Sequence, residues 1–247
     1  REHALLATLV SGSNAAPGQK MVLKVDGTSI GSLGDPALDE LVRIKMADET
    51  NDDVLKVLSL SDDEGAVRVF VEAVQSDPDL FIFGGGHVSR AIARIAGSVG
   101  FRITVVDDRP AFANAERFPW AAEVLVAEFD DVVSKLSIDA TSYLIAVTRG
   151  HQWDQPIIEQ AIHTNAKYIG MIGSRRKVAL MWQKLEKNGI PRAKLDRIHS
   201  PIGLDIHADT PEEIAVSVVA ELIQVRRSAG KPAHLFEAKT SELTDSQ

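Results

Sequence analysis

The chain has 247 residues, 45% of them hydrophobic, with 27 Lys plus Arg against 35 Asp plus Glu, a net charge of -8. That length allows two modest domains with real cores, and the negative balance speaks against nucleic acid as a partner, which needs a basic face. Cysteine is absent, which excludes disulfides, thiolate metal sites and cysteine nucleophiles together, and no apolar run reaches the roughly 18 residues that cross a bilayer.

The opening residues Arg1, Glu2 and His3 do not read as a signal peptide, so the expectation is a soluble, cytoplasmic protein. A strand-like run beginning at once at Ala4, with no initiator Met, implies a missing N-terminal piece. Ala4 to Val10 and Met21 to Val25 are strand-like, and Asp26-Gly27 after the second is a hairpin signal. Thr28 to Leu33 continues the pattern up to a Gly34-Asp35-Pro36 break. Leu38, Leu41, Val42 and Lys45 then follow helical spacing, and Val67 to Val74 alternates as a strand. Residues 1–76 therefore read as a small α+β domain.

Ser76-Asp77-Pro78-Asp79 is a polar break, after which strands alternate with helices. Leu80 to Phe83 is a short buried strand; Val88, Ala91, Ile92, Ile95, Ala96 and Val99 make one helical face; Ile103 to Val106 is the next strand. Further strands are expected at 122–127, 142–148 and 167–172, with helices near 154–164, 174–187 and 210–227. The pattern predicts an α/β fold, a Rossmann-like parallel sheet domain over 77–228 preceded by the smaller α+β domain, with a polar, mobile tail at 229–247.

Gly84-Gly85-Gly86-His87 follows a strand and opens a helix, the context in which a glycine turn cradles a phosphate on helix N–H groups. Ser89 replaces the third glycine of the dinucleotide fingerprint. Asp107 lies 21 residues after Gly86 at a strand end, where an acidic side chain reaches a ribose hydroxyl. Arg109 either neutralises a phosphate or closes a loop salt bridge with Asp107 or Asp108, and His87 reads as a solvated or capping side chain rather than a base.

Thr148-Arg149-Gly150-His151 follows the next strand. His151 with Asp154 is a candidate acid/base or metal pair, although two residues without a third do not make a metal site; Asp154 equally has the plain role of helix N-cap. Gly173, Ser174, Arg175, Arg176 and Lys177 place three cations in a first helical turn, against the helix dipole, which makes sense if an anion binds between them. His199 to Asp209 is a polar loop that suits a binding edge, its His199 and His207 as readily structural as functional. Thr210-Pro211-Glu212-Glu213 is a capping box opening the last helix.

Phe83-Gly-Gly-Gly-His-Val88, Val105-Val-Asp-Asp-Arg109, Thr148 to His151 with Asp154, Ile172-Gly-Ser-Arg-Arg176, and Pro201-Ile-Gly-Leu-Asp205 through Thr210 to Ser217 together resemble the XdhC/CoxI family. Gly12-Ser13, Pro17-Gly18 and Met21 resemble the smaller domain of that family. The resemblance implies a maturation factor, without catalytic turnover of its own, that binds molybdenum cofactor and passes it to an apo molybdenum hydroxylase of the xanthine dehydrogenase type. It implies a sulfur-donating desulfurase as a second partner, and Gly203 and Asp205 join the cofactor-binding set through the family motif. Many relatives carry Gly-Gly-Cys in the small domain, whereas this chain has Gly31-Ser32-Leu33-Gly34-Asp35-Pro36 and no thiol to touch the metal. The rival readings are an NAD(P)-dependent oxidoreductase and a nucleotide-sensing regulatory module; a homodimer is compatible with each.

Overall fold

The computed structural model describes residues 4–12, 16–24, 26–47, 55–62, 65–74, 77–149 and 151–228. The expected tail 229–247, together with Arg1 to His3, Ser13, Val25, Ser76, Gly150 and the side chains of His151 and Arg175, lies outside the described residues. Two compact units divide between Ser76 and Asp77.

The first unit is an antiparallel sheet in the order β3-β2-β1-β5-β4 with one helix. Its strands are β1 (Ala4–Ser11), β2 (Lys20–Lys24), β3 (Ser29–Gly31), β4 (Leu55–Asp62) and β5 (Gly65–Val74), and its helix is α1 (Pro36–Met46). Asp26 turns the β2–β3 hairpin by accepting hydrogen bonds from the Thr28 N–H and hydroxyl at 2.8 and 2.6 Å. Asp35 caps α1 by accepting from the Ala37 N–H at 2.8 Å, and Pro36 stands where a missing N–H costs nothing. Leu38, Val42 and Met46, four residues apart, bury one stripe of the helix in a core with Ala7, Leu9, Met21, Val67, Val69 and Val71. Strand β4 had no assignment from the sequence.

The second unit is the α/β layer. Its parallel strands are β6 (Asp79–Phe83), β7 (Arg102–Asp107), β8 (Glu123–Val126), β9 (Tyr143–Ala146), β10 (Tyr168–Met171) and β11 (Ile198–His199). The helices are α2 (His87–Ser98), α3 (His151–Ala161), α4 (Arg175–Lys187), α5 (Arg192–Leu195) and α6 (Pro211–Ser228). The sheet order β8-β7-β6-β9-β10-β11 is the Rossmann order 3-2-1-4-5-6 when counted from β6. Both faces are covered, so β6 is apolar from Leu80 to Phe83: Leu80 and Ile82 point into a core with α2 and α6, Phe81 and Phe83 into one with α3 and α4.

Three elements differ from the sequence expectation. Helix α3 starts at His151, so Asp154 sits inside its first turn and is not the N-cap. The segment from His199 opens on an edge strand, β11, whose Ile198 and His199 pair with Ile169 and Gly170; two residues carry no periodic signal. Short α5 also escaped notice for want of a full turn of pattern. The capping box of α6 is present, Thr210 N donating to Glu213 at 3.0 Å and Glu213 N to Thr210 Oγ1 at 3.3 Å. No helix among the described residues is long and apolar enough to cross a membrane.

Candidate functional site

Chain order reverses at β6, which has β7 on one side and β9 on the other. Phe83 is level with Val106 and Ala146, so the turns after these three strands emerge together at the carboxyl edge, where open α/β sheets bind ligands.

The three glycines of the first turn have different reasons for being glycine. Gly84 has φ +110°, and a Cβ there would stand 2.3 Å from the Val147 carbonyl oxygen. Its N–H donates to Val106 at 2.7 Å while the Val147 N–H donates to Phe83 at 2.8 Å, so Gly84 is the seam between β7 and β9. At Gly85 a Cβ would meet the Phe112 carbonyl oxygen at 2.6 Å. Gly86 is ordinary in backbone, with φ -72° and ψ -174°, and a Cβ there would meet nothing within 4 Å. The fold requires the first two glycines and leaves open space beside the third.

Gly86 is the N-cap of α2, with no side-chain cap and no acidic residue in the first turn; exposed His87 is the first helical residue. Ser89, at the third fingerprint position, is fully buried and its hydroxyl has no partner among the described residues.

Asp107 closes the turn from the side of β7. Its Oδ2 accepts from Gly85 N at 2.7 Å and Arg109 Nη2 at 2.9 Å, and its Oδ1 from Arg109 N at 3.0 Å and Arg109 Nε at 2.8 Å. Burial raises the pKa of this 1% exposed carboxyl, but the Arg109 guanidinium and the two backbone N–H groups outweigh it and hold the group below its ordinary range. Asp107 in turn raises the Arg109 pKa. The loop salt bridge is formed, and its N–H donors fill the about four lone-pair positions that a carboxylate offers.

Phe112 and Arg117, which carry no signal in the sequence, complete the rim. Arg109 and Arg117 lie over the Phe112 ring at 3.6 and 5.0 Å from its centre, and Arg117 Nη2 donates to the Gly85 carbonyl at 3.3 Å. Arg149, after β9, reaches Asp108 at 3.2 Å. Arg117 and Phe112 lie in an irregular stretch between β7 and β8, where no periodicity could point to them.

The remaining candidates divide. Thr148 donates to buried Asp154 at 2.6 Å, tying the turn after β9 to α3. Ser174 is the N-cap of α4, again without a side-chain cap or first-turn acid, and Ile172 N–H donates to Ala146 at 3.0 Å, which holds this turn beside that of β9. Gly203 is engaged elsewhere: it has φ +101°, a Cβ would stand 2.3 Å from Ser217 Oγ, and its N–H donates to Glu221. Asp205 is mostly exposed, 3.5 Å from His207. Gly203 thus packs against α6, and Asp205 faces solvent.

Glu221 was missed as well. Buried on α6, it sits 2.5 Å from His199 Nδ1 and accepts from Gly203 N. Burial raises its pKa, yet the His199 and Gly203 bonds prevail and lower it. Burial and the Glu221 charge push the Tyr168 hydroxyl up. Ser217 and Glu221, four residues apart beside the Val218 and Leu222 stripe, were the available signal. Among the described residues no group of three His, Asp or Glu could hold a metal ion.

The sequence profile of the XdhC Rossmann domain matches residues 80–222. The chain belongs to the XdhC family. An uncharacterised Escherichia coli protein, YqeB, is 33% identical over 90% of the chain, and a probable xanthine dehydrogenase subunit from Bacillus subtilis is 32% identical over 70%. A molybdenum cofactor insertion chaperone of Escherichia coli, PaoD, is 26% identical over 60%. The chain spans 44%, 50% and 40% of the lengths of these three relatives. A solved structure from Bacillus halodurans, described as a xanthine dehydrogenase, superposes with a TM-score of 0.60 at 22% identity over 94% of both chains, a likeness of fold. The XdhC match covers the turns after β6, β7, β9 and β10 in one span.

Proposed function

We propose that this XdhC-family chain serves the maturation of a molybdenum hydroxylase, holding molybdenum cofactor by its phosphate at the Gly86 turn and passing it to the apoenzyme. The observation that carries the reading is the open space beside Gly86, which the fold does not need and a Cβ would fill. The N–H groups at the start of α2 have no side-chain cap and would favour an anion there, in a first turn free of carboxylates. Relatives named as a cofactor insertion chaperone and a xanthine dehydrogenase component support the cargo and the client. Gly86 and His87 would hold the phosphate by their N–H groups, Arg109 would add charge from β7, and Ser174 and Arg175 would flank it from α4. Thr148 and His151 border the same edge. When bound, the cofactor supplies the metal and its redox chemistry; the chain supplies binding and shielding. The client hydroxylase and a sulfur-donating desulfurase are the proposed partners. An oxidoreductase using NAD is disfavoured by Asp107, which has no acceptor left for a ribose.

The test is retention of molybdenum cofactor, read as molybdenum and pterin remaining after ultrafiltration. Gly86→Ala should lower retention roughly tenfold or more, because the new methyl group occupies the phosphate approach, while the apo melting temperature stays within about 1 °C, because φ is unstrained. Equal retention by Gly86→Ala and the parent chain would remove the anion from this turn.

A further inference from the structure

We infer that the end of β7 reads a phosphoryl group and rejects a ribose diol, with Arg109 as the residue that decides. This rests on the proposal that the Gly86 turn takes an anion, and it specifies what the next group of that ligand must be.

Asp107 occupies the position from which Rossmann-fold carboxylates accept the hydroxyls of a ribose. Here four N–H donors, one from Gly85 and three from Arg109, fill its acceptor positions at 2.7 to 3.0 Å. A hydroxyl arriving there would have to displace a charge-assisted bond from a buried carboxylate, a poor exchange for a neutral one. The same pairing leaves Arg109 donors to spare. A guanidinium has five N–H groups, and Asp107 takes one from Nε and one from Nη2. Phe112 covers the guanidinium at 3.6 Å and Asp107 fixes its plane, yet the side chain remains 24% exposed. A held fork with unspent N–H groups is built for a tetrahedral oxyanion, which can accept from two of them at once.

The surrounding charge agrees. Arg109 and Arg149 pair with Asp107 and Asp108, and Arg117 lies over the Phe112 ring and donates to the Gly85 carbonyl, so three guanidinium groups meet two carboxylates at this edge. Arg117 Nε is buried without a partner among the described residues. The ligand class is thus one that carries a phosphate for the Gly86 turn and a second phosphoryl group at β7.

NAD and NADP are the probes, since both bring a pyrophosphate and only NADP adds a 2′-phosphate. Calorimetric titration should show NADP binding roughly tenfold to a hundredfold more tightly than NAD, the range that a charge-assisted bond supplies. Arg109→Ala frees the Asp107 oxygens and should reverse the preference; Arg109→Lys, which keeps charge but loses the fork, should bring the ratio near one with the fold intact. A role confined to bracing the loop would weaken both ligands alike. Equal affinities in the parent chain, an unchanged ratio in both variants, or no binding of either nucleotide at about 1 mM would overturn the inference. Adding molybdenum cofactor as competitor separates it from the maturation proposal: NADP preference without displacement by the cofactor upholds the phosphoryl site and overturns the cargo.

Discussion

Replacing Asp107 with Asn tests whether this carboxylate is a strut of the site. Asn keeps the shape but turns one acceptor oxygen into a donor facing N–H groups of Gly85 or Arg109, and removes the charge that Arg109 answers. Removing one partner of a buried ion pair costs about 3 to 5 kcal/mol. Arg109 is 24% exposed and keeps Asp108 at 3.4 Å, so water and the second carboxylate recover part of that, leaving about 2 to 3 kcal/mol. For a unit of this size each kcal/mol moves the melting temperature by about 2 to 4 °C, hence a fall of about 4 to 12 °C at neutral pH. The loss must also depend on pH. The folded pKa of Asp107 lies below its ordinary 3.8, so its contribution is complete above the unfolded value and is lost as pH falls through the folded one. The gap between Asp107→Asn and the parent chain should therefore hold down to about pH 4 and close below it. Circular dichroism melts across pH measure this. Equal melting temperatures at neutral pH, or a gap that persists undiminished well below pH 4, would refute the strut.

Gly84→Ala should abolish the cooperative melt of the second unit or lower it by more than about 10 °C, since the methyl group would meet the Val147 oxygen at φ +110°; a near-parental melt would deny the seam. Ser89→Ala removes a buried hydroxyl without a partner among the described residues, so the apo melting temperature should rise by about 2 to 4 °C, and a fall would mean the hydroxyl is satisfied. Glu221→Ala strips the half-buried Gly203 N–H of its acceptor and His199 of its carboxylate, which should cost about 2 to 3 kcal/mol in denaturant unfolding. As the Glu221 pKa is lowered from 4.5, that deficit should be full above about pH 4.5 and shrink below it; a deficit unaffected by acid would exclude the ionised carboxylate as its cause.

Local pattern was enough for the elements that carry their own signal. The apolar run of β6 with three glycines behind it, the helical stripe of α2, the Asp26 hairpin and the Thr210 capping box each depend on residues within a few positions of one another, so propensity and spacing settle them. The Rossmann layer follows, because strands alternating with helices leave a right-handed parallel sheet as the favoured arrangement. What Asp107 does was beyond such reasoning. Its spacing from Gly86 suits a ribose ligand and a salt bridge equally, and only the fold brings Gly85, 22 residues away, and the fork of Arg109 onto its oxygens. Val147 and Phe112, brought up by β9 and by the stretch after β7, are what make Gly84 and Gly85 structural and leave Gly86 with open space. Glu221 and His199 belong to a helix and a two-residue strand that meet at the sheet edge. Contacts of that range exist only once the chain has closed on itself, because spacing along a strand or helix constrains what lies a turn away and says nothing of what another element delivers.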